Sequence, residues 1–187
     1  NSQEILFDES YEDALKATEN LLTQSVVGQL NSDVPLGCFL SGGIDSSTIA
    51  ALMQENSGQN IDTFSIGFDH IEFDESAHAR TIAKYLQTNH HELIVSPEDS
   101  LEMIPQLHQI YDEPFADSSQ IPTLLLSKFT SNHVSVALSG DGADELFGGY
   151  NRYLIASKYW NLLSNIPHSL KAVFKRILSY LGPEQLK

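Results

Sequence analysis

The sequence is 187 residues long, 41% apolar and 19% charged, with a formal net charge of −15. That length supports one domain with a sizeable core, and the composition is not that of a disordered chain. So acidic a surface argues against non-specific nucleic-acid binding, no apolar run reaches bilayer length, and residues 1–4 (NSQE) do not read as a signal peptide.

The charge is unevenly divided. Residues 1–150 hold 24 of the 25 acids against four of the ten bases, a net −20, while residues 151–187 hold six bases against one acid, a net +5. Metal ions and aligned backbone N–H groups act locally, so this acidity leaves a nucleotide open as a ligand. The single cysteine, Cys38, allows no internal disulfide and fits a reducing, cytoplasmic setting. It is expected as a small core residue.

In chain order, Ser10 and Asp13 are spaced as a capping box opening a long helix, with Ala14, Leu15, Leu22, Val26 and Leu30 as its apolar stripe. Residues 34–40 read as a short buried strand, and 46–55 carry Ile49, Ala50, Leu52 and Met53 at helical spacing. Residues 61–68 (IDTFSIGF) predict a second strand. After a charged loop over 69–75, Asp74 is placed to cap a helix with Ala79, Ile82, Ala83 and Leu86 on one face. A third strand covers 90–95. Its neighbours His90 and His91 point to opposite faces, so they cannot chelate one ion together and are expected to be structural. Ser96-Pro97-Glu98-Asp99 then starts a helix running to about Tyr111, and a helix over 121–130 precedes a fourth strand over 134–138. Strands alternating with helices predict a parallel sheet covered on both faces, with ligands at the carboxyl ends of its strands. From Tyr153 to Leu181 apolar residues recur at helical spacing, broken at Pro167. We read this tail as part of a helical bundle, with apolar surface for self-association into a homo-oligomer, rather than as a membrane-surface helix.

Two segments carry chemistry. Ser41-Gly42-Gly43-Ile44-Asp45-Ser46-Ser47 lies between a strand and a helix, where glycines admit a ligand and helix N–H groups attract an anion. No lysine follows the glycines, which excludes a Walker A loop. Asp45 would repel a phosphate unless it holds a metal ion that bridges to it. The loop resembles the SGGxDS pyrophosphate loop of ATP pyrophosphatases. The second segment, Ser139 to Tyr150, packs four glycines and three acids into twelve residues at another strand end. Gly140 would let backbone approach a nucleotide, and Asp144 would supply a second metal carboxylate.

SGGIDSS, FSIGFD, FDESAHA, DEPFADSSQIP and LSGDGADELFGGYNRY, in this order over roughly residues 8–155, resemble the synthetase domain of glutamine-dependent asparagine synthetases. The resemblance implies the adenine-nucleotide α-hydrolase-like fold, with residues 1–150 as the ATP-pyrophosphatase core and 151–187 as the start of a helical part. It places ATP against Ser41, Gly42, Gly43, Asp45 and Ser46 at its phosphates, and against Phe39, Leu40, Ile66, Ser139 and Gly140 around the adenosine. Mg²⁺ would sit on Asp45 and Asp144. Asp141 stands where the family has an acid near the acyl group; the related β-lactam synthetases have a tyrosine there. In the DEPFAD stretch, Asp117 and Ser118 are candidate substrate contacts beside Asp112 and Glu113, with solvated helix-end acids as the rival account. The implied chemistry is adenylation of a carboxylate, aspartate in the typical member, followed by amidation with ammonia from a glutaminase domain. The family's essential lysine and its glutaminase domain fall outside these 187 residues, so this piece is expected to bind MgATP weakly and turn over little. Two alternatives stay open: a relative amidating a sugar acid or a peptide, and a non-catalytic ATP-binding domain.

Overall fold

A computed structural model of the chain describes residues 10–69, 76–113 and 115–164. They form two compact units, one through Asp141 and one from Gly142.

The first unit is built on four parallel strands in the order β3-β2-β1-β4: β1 (Leu36–Phe39), β2 (Asp62–Phe68), β3 (Asn89–Val95) and β4 (Val136–Leu138). The order steps outward from β1 to β3 and then jumps back across β1, so the topological switch falls between β1 and β4. The connecting helices divide accordingly. α1 (Tyr11–Leu30), α2 (Ile44–Asn56) and α3 (Ser76–Leu86) pack on one face, and α6 (Gln120–Thr130) meets β2 on the other.

Period-two alternation decides what each face buries. Cys38 and Leu40 join Val26, Ala50, Met53, Ile61, Ala79 and Ala83 in the core beneath α1–α3. Phe39 pairs in register with Phe64 on the opposite face. There Phe64, fully buried, stacks on His91 at 5.0 Å and meets Phe129 of α6 edge-on at 6.2 Å. His90 points the other way, its Nδ1 3.0 Å from Thr63 Oγ1 and its Nε2 3.2 Å from Ser65 Oγ. His91 pairs with Asp62 at 2.9 Å. Both histidines are thus structural, on opposite faces.

Several local expectations are revised. Leu15 is 56% exposed: Ala14, Leu22, Val26 and Leu30 recur at multiples of four, and Leu15 lies about 100° off that line. Ser10 caps α1 by accepting from Asp13 N–H at 3.2 Å, but the Asp13 carboxylate returns to the Ser10 hydroxyl, at 2.5 Å. At Ser96 both arms of the capping box form. The helix expected to reach Tyr111 is broken into α4 (Pro97–Met103), a 3₁₀ turn (Ile104–Gln106) and α5 (Leu107–Ile110). Pro105 removes an N–H and crowds the carbonyl four residues back. β1 and β4 are shorter than expected, and α2 begins two residues earlier, which brings Asp45 into its first turn. The Asp74 cap and the tail pattern beyond Ser164 lie outside the described residues.

The second unit contains α7 (Ala143–Phe147) and α8 (Asn151–Ser164). Leu154, Ile155, Tyr159 and Trp160 of α8 are exposed.

Candidate functional site

The first loop leaves β1 after Leu40, whose N–H still donates to the Phe64 carbonyl at 2.8 Å. Gly42 then turns the chain with φ +85°. A Cβ there would lie 2.6 Å from Ala79 N and 2.7 Å from His78 Cβ, so the loop is pressed against the first turn of α3. Hydroxyls fasten the loop from inside. Ser41 N–H donates to Ser46 Oγ at 3.2 Å, the two hydroxyls are 3.0 Å apart, and Gly43 N–H donates to Ser41 Oγ at 3.3 Å. Gly43 caps α2 in an extended conformation and without a side-chain hydrogen bond. The helix N-terminus is therefore not closed by its own cap and can serve an anion.

The second loop meets the first directly. A Cβ on Gly140 would lie 2.7 Å from Ser46 N and 2.8 Å from the Asp45 carbonyl carbon. Its tightest approach is to the α2 backbone, which ties the ends of β1 and β4 together. Beyond it the Ser139 hydroxyl donates to the Asp141 carboxylate at 3.0 Å, fixing that side chain at the rim.

These loops border a cleft of about 690 Å³, on the sheet face that α6 covers. Of the expected residues, Phe39, Leu40, Ser41, Asp45, Ser46, Ile66, Ser139, Gly140 and Asp141 line it. Gly42 and Gly43 shape the loop without lining the cleft. Asp117 and Ser118 are exposed and do not line it either. The Asp117 carboxylate accepts from the Ser119 hydroxyl at 2.7 Å and from Ser119 N–H at 2.8 Å, which holds its pKa below the usual carboxylate range. Asp112 and Glu113 are exposed as well. Asp144 opens α7 in the second unit, where its carboxylate lies against Gly149, and Gly149 N–H donates to its carbonyl at 3.0 Å.

The lining carries three carboxylates, Asp45, Asp69 and Asp141, and no lysine, arginine or histidine. A polyanion entering such a cleft needs a cation brought with it. Among the described residues no group of three or more His, Cys, Asp or Glu is placed to hold a metal unaided.

The asparagine synthase family model matches residues 17–186. The chain belongs to the asparagine synthase family. It is 39% identical over 160 residues to a putative glutamine-hydrolysing asparagine synthetase of Methanocaldococcus jannaschii, covering 85% of this chain and 31% of that protein. It is 42% identical over 139 residues to a glutamine-hydrolysing asparagine synthetase of Bacillus subtilis, covering 74% of this chain and 22% of that protein. The chain thus spans less than a third of the length of these relatives. Among solved structures, an NH3-dependent NAD synthetase from Campylobacter jejuni superposes with a TM-score of 0.51 at 15% identity, covering 91% of this chain and 89% of that one. That likeness concerns the fold, a parallel sheet with helices on both faces, of the ATP-pyrophosphatase type.

For this family member, sequence reasoning missed the far wall of the cleft, formed by Phe64, Phe68, Asp69, Val95, Ser100 and Thr123. Phe64 and Phe68 were within reach, since both sit two residues from Ile66 on the same strand and so share its face. Thr123 carries no such signal, because its place depends on how α6 docks. Among the described residues no helix is long and apolar enough to cross a membrane.

Proposed function

We propose that this chain is the nucleotide-activating part of an ATP-dependent amide-forming ligase of the asparagine-synthetase type. The single observation that carries this reading is the Ser41–Ser46 loop: a glycine turn and an uncapped helix start, fastened at the switch point of the sheet and opening on the cleft. Ser41, Ser46 and the loop amides hold the pyrophosphate portion of ATP. Phe39, Leu40, Ile66 and the Gly140 backbone border the adenosine. The substrate carboxylate, aspartate in this reading, attacks the α-phosphorus, and the bond to the β-phosphate oxygen breaks to release pyrophosphate. Ammonia then attacks the acyl carbon of the adenylate, releasing AMP and leaving the amide after loss of a proton. Asp141, at the rim and steadied by Ser139, is assigned to the acyl side.

The donors fit a magnesium ion. Asp45 and the Ser41 and Ser46 hydroxyls offer hard oxygen, and Mg²⁺ is commonly held by one or two carboxylates plus substrate phosphates rather than by a protein cage. Asp45 is assigned as one of those carboxylates. When bound, the ion neutralises charge on the departing pyrophosphate. Cytoplasmic location and assembly into a homo-oligomer belong to the same reading, and sedimentation tests the second.

Calorimetric titration with MgATP tests the nucleotide assignment. Binding is expected for the wild type, with a loss of about tenfold or more in Ser46→Ala and Asp45→Asn, the scale of hydrogen bonds to charged groups. No binding of MgATP by the wild type, or full affinity in both variants, refutes it. Competition by aspartate against other carboxylates in the adenylation assay identifies the substrate.

A further inference from the structure

The second unit holds a guanidinium that has no hydrogen-bond partner among the described residues. Arg152, near the start of α8, places its Cζ 4.2 Å from the centre of the Tyr150 ring and 5.5 Å from that of Tyr153. The two rings stand at 63° with centroids 5.7 Å apart, so they form a corner around the charge. Tyr150 is itself held by its tip, since its hydroxyl donates to Glu145 Oε1 at 2.5 Å. That bond pushes the phenol up to about 12 and holds Glu145 below its ordinary range. Glu145 is thereby engaged by Tyr150 and forms no ion pair with Arg152, whose N–H edge stays open.

Two other bases of the described residues are committed. Arg80 donates to both oxygens of Glu92 at 2.8–3.1 Å, and Lys128 Nζ donates to Gln106 at 2.8 Å. A guanidinium lying over a ring keeps its in-plane donors free, and their fork matches the two oxygens of a carboxylate or phosphate. Aromatic contact also reduces the side-chain freedom lost on capture.

We propose that Arg152, oriented by Tyr150 and Tyr153, is an oxyanion-binding residue. Its ligand is an oxyanion of the carboxylate or phosphate class, and L-aspartate and pyrophosphate serve as the two probes.

The test titrates the chain separately with L-aspartate and with pyrophosphate, following affinity by calorimetry and the Arg152 Nε–H resonance by NMR. One anion is expected to move that resonance. Arg152→Ala weakens that anion about tenfold or more, and Arg152→Lys restores part of the loss. Tyr150→Leu weakens it about two- to fivefold in the wild-type background and not at all on top of Arg152→Ala. A response to aspartate makes this a carboxylate site, and a response to pyrophosphate makes it a phosphate site. The proposal is overturned if neither anion moves the resonance, or if Arg152→Ala, folded by circular dichroism, binds both as the wild type does. MgATP binding that depends on Ser46 beside a silent Arg152 leaves the ligase reading standing alone. A responsive Arg152 in a chain that ignores MgATP leaves only the anion site.

Discussion

Gly42→Ala separates the two reasons a glycine can be required. Gly42 has φ +85°, and its missing Cβ would fall 2.6 Å from the backbone nitrogen of Ala79. Two other glycines of the same unit carry one burden each. Gly58 has φ +69° with nothing within 4 Å, so alanine there meets only the left-handed penalty, about 1–2 kcal/mol. Gly140 is not in the left-handed region, but a Cβ would meet Ser46 N at 2.7 Å, so alanine there costs the strain of overpacking, about 1–3 kcal/mol. Gly42→Ala should combine both, about 2–5 kcal/mol, a large part of the 5–15 kcal/mol typical of a domain. Urea unfolding followed by far-UV circular dichroism measures all three, with a shifted midpoint at unchanged slope as the signature. The reasoning fails if Gly42→Ala costs no more than Gly58→Ala. It fails in a second way if Gly140→Ala is neutral, because the contact between the two loops would then bear no load.

Three further outcomes are expected. Burial, helped by the neighbouring charges of His91 and Arg80 and outweighing the upward pull of Glu92, lowers the pKa of His90, so the unfolded chain binds a proton the folded chain resists; stability should fall as pH drops below about 6.5, and His90→Gln should flatten that slope. Burial pushes the Cys38 thiol up to about 12, so native protein at pH 8 should resist iodoacetamide and react only once unfolded, as read by mass spectrometry. The Arg80–Glu92 pair has a 60% exposed arginine, so Arg80→Ala should cost at most about 1 kcal/mol, with the Glu92 share of stability present at neutral pH and lost as pH falls through the acidic range.

The order of elements and the two loops were legible because each leaves a local mark. Alternating apolar residues mark β2, Ser96-Pro97 marks the start of α4, and glycines with hydroxyls mark a strand-end turn. What failed was set by tertiary packing or by a single residue acting against a pattern. Leu15 looked apolar enough for the stripe but falls on the wrong side of the helix axis. Pro105 cut a helix whose apolar spacing ran straight through it. The far wall of the cleft required knowing that α6 lies over β2, which no pattern within residues 120–130 states.

Gly42 and Gly140 show where a motif and a fold are hard to tell apart. Both were read as making room for a ligand, and both also make room for protein: one for α3, the other for the first turn of α2. The two readings are compatible, because the contacts that demand glycine also set the position of Ser41, Asp45 and Ser46. β4 is distant from β1 in sequence, yet the jump across β1 makes them neighbours, and Gly140 lets their loops touch. A substitution that pushed those loops apart would move the Asp45 carboxylate and the Ser46 hydroxyl together, without altering either residue. Glycine variants should therefore lose nucleotide affinity in proportion to the backbone displacement they cause, and Gly58→Ala, equally strained in φ but remote from this contact, should retain it.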